Sequence, residues 1–315
     1  MPAIFSKAPA KTILFGEHAV VYGQPAIAIP ITDLYSKVSV ISNAVGSSNE
    51  VRIIAPEIKL NKLISDLPRN DYFVSTIQMV MDYLRIDHYP ACEVRISSTI
   101  PIASGLGSSA ALAVSLLRAL FYFLGTSPED HVISDLAFQL EKISHGDPSG
   151  IDNSVIAYEK PIYYVREKPV ELLKVGRAFT IIIGNSGIIG STKVAVAGVR
   201  ERYQSNPTKF EYLFQRIGAI SNEARVNIES GNIDIIGEKM IENHKLLQEL
   251  GVSCPELDKL VAAGINAGAI GAKLCGGGLG GNIIALVPEN AATQIADALL
   301  SAGAVKTYVT IIKPN

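Results

Sequence analysis

Residues 104–109, Ser-Gly-Leu-Gly-Ser-Ser, have the makings of an anion site. Glycine lets backbone N–H groups approach a phosphate closely, and a helix starting just afterwards aims the positive end of its dipole at the same anion. The alternative is an ordinary helix-entry turn with serine caps. Two more glycine-rich stretches are GAKLCGGGLGG at 271–281 and GDPSGIDN at 146–153. In the latter, a turn of Gly146, Pro148 and Gly150 sets Asp152 at a defined position next to a strand. The same residues also suit a helix stop with an aspartate capping a turn. Glu141, just upstream, follows Ala137 by four residues and lies beside a helical apolar stripe, so its carboxylate belongs where that helix meets the rest of the fold.

Several chemistries are excluded by context. The stretches 105–110 and 276–281 each match a loose dinucleotide fingerprint, which needs a strand before the loop and a helix, then a parallel strand, after it. After the first comes a second helix in place of that strand, and after the other comes a strand in place of the helix. A nicotinamide-dependent dehydrogenase is therefore disfavoured. No Gly-Lys-Ser/Thr ending and no GxSxG occurs, which removes P-loop kinases and elbow-type serine hydrolases.

These segments need a scaffold of mixed elements. Residues 11–15, 35–41 and 93–98 read as strands, and 107–124 and 128–145 as long helices. The second helix is opened by Ser127-Pro128-Glu129-Asp130, a cap, a proline and two first-turn acids, and carries an apolar stripe of Ile133, Leu136, Ala137, Leu140 and Ile143. Residues 155–183 hold short strand candidates and form the expected seam between halves. Helices follow over about 192–203, 208–230 and 232–250. The last part reads helix (255–267), strand (269–275), glycine turn, strand (282–287), helix (289–302), strand (304–312), which predicts an α+β second domain with an antiparallel sheet.

The 315 residues suit two domains, and their composition, 48% hydrophobic and 18% charged, rules out disorder. A net charge of -2 argues against nucleic acid or an anionic membrane as the main partner. The three cysteines, Cys92, Cys254 and Cys275, are too scattered for a disulfide frame or a zinc site. No apolar run is long enough for a membrane span and the first residues do not read as a secretory signal, so a cytoplasmic protein is expected.

Four segments occur in an order and spacing that carries a resemblance: KTILFGEHAVVYG (11–23), PIASGLGSSAA (101–111), EKISHGDPSGIDN (141–153) and GAKLCGGGLGG (271–281). Together they resemble the galactokinase, homoserine kinase, mevalonate kinase and phosphomevalonate kinase (GHMP) superfamily, and GEHAVVYG with HGDPSGIDN is most similar to the mevalonate kinase branch. The resemblance implies a two-domain α+β fold. An N-terminal domain (1–170) like the second domain of ribosomal protein S5 would bind the nucleotide, and a C-terminal ferredoxin-like domain (171–315) would close the substrate cleft. It implies ATP-dependent phosphorylation of the 5-hydroxyl of mevalonate in isoprenoid biosynthesis, with Mg²⁺ as cofactor.

By the same resemblance, Ser104, Gly105, Leu106, Gly107, Ser108 and Ser109 hold the ATP phosphates, and Ser109 and Glu141 hold the metal. Asp152 takes the proton of the acceptor hydroxyl while Lys11 contacts that aspartate and the hydroxyl. Glu17, His18 and Thr192 contact mevalonate, with His18 hydrogen-bonding a hydroxyl or carboxylate. Three positions depart from the family's habit: Gly190 stands where many relatives carry Arg, which leaves Lys193 as a substitute, Cys275 where Thr is usual, and Leu279 among small residues. Rival readings are another member such as phosphomevalonate kinase or diphosphomevalonate decarboxylase, and a non-catalytic nucleotide sensor. Retention of Lys11 with Asp152, and of Ser109 with Glu141, argues against the sensor. A homodimer is among the assemblies open to the chain.

Overall fold

Alternating and continuous apolar runs produce the first strands, β1 (Ile4–Phe15) and β2 (Ala26–Ser42). The computed structural model describes residues 3–101, 104–145 and 148–315, without the side chains of 144 and 145. Gly146, expected to shape the turn before Asp152, lies outside the described residues. The chain divides into two units, Met1–Ala10, Ile31–Ile102 and Gly107–Glu159 in one and Lys11–Pro30, Ala103–Leu106 and Lys160–Asn315 in the other. The divisions at 10/11 and 30/31 fall inside β1 and β2.

In the first unit, β3 (Val51–Ala55), β4 (Leu60–Leu63) and β5 (Cys92–Ser98) join the later part of β2 in the order β4-β3-β5-β2. β3 and β5 are parallel; β2 and β5 are antiparallel, with Ser36 opposite Ser98. The helices are α1 (Tyr72–Leu84), α2 (Ser108–Phe123), α3 (Asp130–His145) and α4 (Ile151–Tyr158). α2 is the core of this unit, buried on nearly every side from Ala110 to Phe121 and packed on the other three helices. Its one cation, Arg118, is buried, which is tolerable only with partners. They are Glu159, Asp130 at 2.8 Å and the carbonyl of Ala157.

The structure corrects the reading around Asp152. Residues 151–158 are helix, not a turn leading into strand: Gly150, at φ 86, is the N-cap and Asp152 lies in the first turn. Val155 and Ile156 favour strand by propensity, but burial against α2 and α3 overrides it. α1, β3 and β4 were not anticipated.

In the second unit, β6 (Ile162–Tyr164) pairs with the first residues of β2 and β7 (Glu171–Leu172) pairs with β6. Then come β8 (Phe179–Asn185), α5 (Thr192–Ser205), α6 (Pro207–Ser230), α7 (Ile233–Glu249), α8 (Pro255–Asn266), β9 (Gly271–Cys275), β10 (Asn282–Val287), α9 (Ala292–Ala302) and β11 (Lys306–Ile312). The expected antiparallel sheet is present in the order β11-β8-β10-β9. β10 is wholly buried and β8 nearly so, with α8 and α9 packed against them and α7 against β9. Among the described residues no helix is long and apolar enough to cross a membrane.

Candidate active site

The first unit presents one end of a helix and one buried carboxylate. Gly107 is the N-cap of α2 at φ 76, a conformation that glycine adopts without strain, and among the described residues no side chain caps the helix. The serine-cap alternative is therefore not what forms: the helix opens on backbone amides with its dipole unopposed by a side-chain cap. Ser109, on the first turn of α2, donates its hydroxyl to Glu141 Oε1 on α3 at 2.5 Å. Glu141 is buried, so it is not the surface carboxylate that a charged helix face usually presents.

A third oxygen lies within electrostatic reach of that carboxylate. The hydroxyl of Tyr72, on α1, is buried and has no hydrogen-bond partner among the described residues. Burial first, and the charge of Glu141 second, push its pKa up, so it stays a neutral donor beside that carboxylate. This all-oxygen set suits Mg²⁺, which takes one or two carboxylates and completes its shell with water and phosphate oxygens. Among the described residues no cluster of three or more His, Cys, Asp or Glu offers a different kind of site. Asp152 belongs to this unit too and is half-buried.

The second unit holds Lys11, Glu17, His18, Thr192 and the segment 104–106. Lys11 is buried near the middle of β1. Its backbone N–H donates to the carbonyl of Leu106 at 3.0 Å, and Asn282 Nδ2 donates to the carbonyl of Ser104 at 2.5 Å, so the segment is pinned at both ends.

Glu17 is 1% exposed and fully engaged. Its Oε1 pairs with Lys273, itself buried on β9, and its Oε2 accepts from Asn243 Nδ2 on α7 at 3.1 Å. The carboxylate expected to touch mevalonate thus spends both oxygens on the protein. His18 adopts φ 61, uncommon for a side chain-bearing residue and a mark of an over-determined backbone. Its Nε2 donates to the carbonyl of Gly277 at 3.0 Å. A carbonyl only accepts, so the proton sits on Nε2 and Nδ1 is an acceptor. Burial lowers the His18 pKa to about 4, against a smaller upward pull from that carbonyl and a further lowering by Arg202. A neutral ring with Nδ1 as acceptor suits a substrate hydroxyl and not a carboxylate.

Thr192, the first residue of α5, is exposed and lies against the same loop: a Cβ on Gly277 would fall 2.7 Å from Thr192 Oγ1. A Cβ on Gly190 would meet the carbonyl of Gly278 at 2.6 Å, so glycine at 190 follows from two backbones in contact. Lys193 is exposed at the head of α5. Cys275 is buried and its thiol lies 3.7 Å from the carbonyl of Asn282, while Leu279, at φ 55, donates its N–H to Val252 at 2.8 Å.

Of the expected residues, the fold brings Ser109 to Glu141, and His18 and Thr192 to Gly277. Asp152 belongs to the first unit and Lys11 to the second. Sequence reasoning missed Tyr72, Lys273, Asn243 and His244. A lone lysine inside the apolar strand GAKLC, and an Asn-His pair on the buried side of α7, were the available signals.

Comparison with known proteins decides the family. The pattern of the GHMP kinases N terminal domain matches residues 71–160, and that of the GHMP kinases C terminal region matches residues 224–305. The mevalonate kinase of Pyrococcus horikoshii is 37% identical over 322 aligned positions, covering 96% of this chain and 93% of that protein. This chain belongs to the GHMP kinase family. Among solved GHMP kinases, the Methanococcus jannaschii mevalonate kinase superposes with a TM-score of 0.85 at 27% identity, covering 100% of this chain and 99% of the other. The L. major mevalonate kinase in complex with R-mevalonate gives 0.81 at 28% identity, covering 99% and 96%. The GHMP kinase fold expected from four short segments therefore spans the whole chain.

Proposed function

We propose that this GHMP kinase transfers the γ-phosphoryl group of ATP to the primary hydroxyl of mevalonate. The observation that carries the reading is the likeness to mevalonate kinases over nearly the full length of both partners. In the transfer, the bond between the terminal phosphorus and its bridging oxygen breaks, a new bond forms to the substrate hydroxyl oxygen, and the hydroxyl proton leaves.

Each role falls to a residue with suitable chemistry. Gly107 and the first turn of α2 meet the phosphates with amides and the helix dipole. Ser104, Gly105, Leu106 and Ser108 complete that loop as the nucleotide-binding part of the chain. Ser109 and Glu141 would hold Mg²⁺, which when bound would offset phosphate charge. Asp152 orients the hydroxyl and takes its proton late, because a carboxylate is too weak a base to remove an alcohol proton before the phosphoryl bond loosens. Lys11 stabilises the developing negative charge. His18 Nδ1 receives a hydroxyl of mevalonate, Thr192 supports the same end, and Glu17 acts through Lys273 and Asn243. With a Cβ at Gly190 set against backbone, Lys193 takes the place of the missing cation for the substrate carboxylate. A cytoplasmic location and a homodimer belong to this reading as well.

The test is to incubate the purified chain with Mg-ATP and, separately, mevalonate, phosphomevalonate, homoserine or galactose, and to measure ADP. Turnover on mevalonate is expected. Clear turnover on another acceptor, with none on mevalonate, sinks the proposal.

A further inference from the structure

The polar contacts of the buried Glu17–Lys273 pair lead to one turn of α7. Asn243 and His244 are adjacent there and both are buried. Asn243 holds Glu17. His244 Nδ1 accepts the backbone N–H of Leu274, the residue after Lys273, at 3.3 Å. β9 is an edge strand of its sheet, paired among the described residues with β10 alone, so N–H groups on its outer side have no strand partner there. A buried N–H without an acceptor is costly, and His244 supplies one.

Because a backbone N–H only donates, Nδ1 is unprotonated and the ring proton sits on Nε2. That atom lies 3.1 Å from Asp258 Oδ1 on α8, without the angle of a hydrogen bond. The hydroxyl of Ser253 closes on the same carboxylate oxygen. Burial is the largest influence on the ring and lowers its pKa; Asp258 pulls upward and Lys273 downward, and the net result keeps the ring neutral and its acceptor available.

We infer that His244 is a positioning residue for the acceptor-substrate side of the site: by accepting the Leu274 N–H at the sheet edge it sets the strand from which Lys273 reaches Glu17. The same strand leads directly into loop 276–281, whose Gly277 carbonyl receives His18. His244 is buried against β9 and acts through that strand. The inference rests on the mevalonate reading for its assay, and the geometry of the clamp can be read without it.

Three variants separate positioning from bulk. His244→Leu keeps volume and removes the acceptor; His244→Asn returns an acceptor at the Nδ1 position; His244→Gln places its polar atoms near Nε2 instead. With mevalonate, kcat/KM is expected to fall about tenfold for the leucine variant, the worth of one buried hydrogen bond. The asparagine variant recovers most of that loss and the glutamine variant does not, while ATP affinity by titration calorimetry stays unchanged in all three. Amide hydrogen exchange at Leu274 is expected to quicken in the leucine and glutamine variants and to stay slow in the asparagine variant. Equal recovery by asparagine and glutamine, a loss of ATP affinity in step with turnover, or unaltered exchange at Leu274 in the leucine variant overturns the inference. Should the leucine variant not fold, the asparagine and glutamine pair decides alone. Absence of mevalonate turnover in the unaltered protein refutes the substrate reading instead, and the exchange measurement then judges the clamp.

Discussion

Glu141 and Glu17 are both buried carboxylates in glycine-marked motifs, and the fold treats them in different ways. Glu141 receives a neutral hydroxyl from Ser109, and the hydroxyl of Tyr72, without a hydrogen-bond partner among the described residues, is close enough to feel its charge. Glu17 meets a buried ammonium on one oxygen and an amide on the other. A hydroxyl can be exchanged for a metal or phosphate shell at small cost, whereas a dry ion pair cannot lose one member without stranding the other. Two glutamates of the same apparent promise thus differ in what meets them, a hydroxyl at Glu141 and a buried ion pair at Glu17.

The difference can be broken at the second carboxylate first. Lys273→Met leaves Glu17 charged and buried, and should cost about 3–5 kcal/mol of unfolding free energy in urea. The double variant Lys273→Met, Glu17→Leu should recover much of that; equal loss in both would show that the pair is no more than packing. Acid probes the same unit. The folded His18 pKa, about 4, lies below the ordinary 6.5, so the unfolded chain binds the proton first. Stability from this group is complete above pH 6.5 and is lost as pH falls toward 4, by about 3 kcal/mol. Urea midpoints that stay level across that window would refute it.

The first unit should respond in chemistry more than in stability. Asp152→Asn is expected to lower turnover by at least about 10²-fold, roughly 2.7 kcal/mol of barrier, with ATP binding retained. Near-normal activity would remove Asp152 from its role. The smallest effect belongs to Ser109→Ala, which should change unfolding free energy by about 1 kcal/mol while raising the Mg²⁺ concentration needed for half-maximal turnover. An unchanged Mg²⁺ requirement would leave Glu141 without its proposed partner in metal binding.

Local signals made much of the fold legible. α6 lies close to its expected range because stripe, cap and stop agree, with Asn206-Pro207 opening it and Gly231 ending it. α4 was misread because its β-branched residues and glycine entry point to strand, and only burial between α2 and α3 makes it helical. α1 carried a readable start at Asp71, whose side chain accepts from the Phe73 N–H. Local geometry was legible where neighbouring residues set it, as in the glycine entry to α2 at Gly107. It was not legible where roles depend on partners 226 or 256 residues away, as Asn243 and Lys273 are from Glu17. No periodicity reports such distances, and a motif that names Glu17 says nothing of what occupies its oxygens.

The backbone contact between residues 186–192 and loop 276–281 has a consequence for altering this enzyme. A Cβ at Gly190, Gly277, Gly278 or Gly280 would come within 2.0–2.8 Å of a neighbouring atom, backbone at three of these positions and Thr192 Oγ1 at the fourth. In a saturation library these four positions should be depleted whatever acceptor is used for selection, since their variants disturb the loop before any preference can be expressed. Altered acceptor range should instead be recovered at Thr192 and Lys193, which are exposed at the head of α5 and do not cap it.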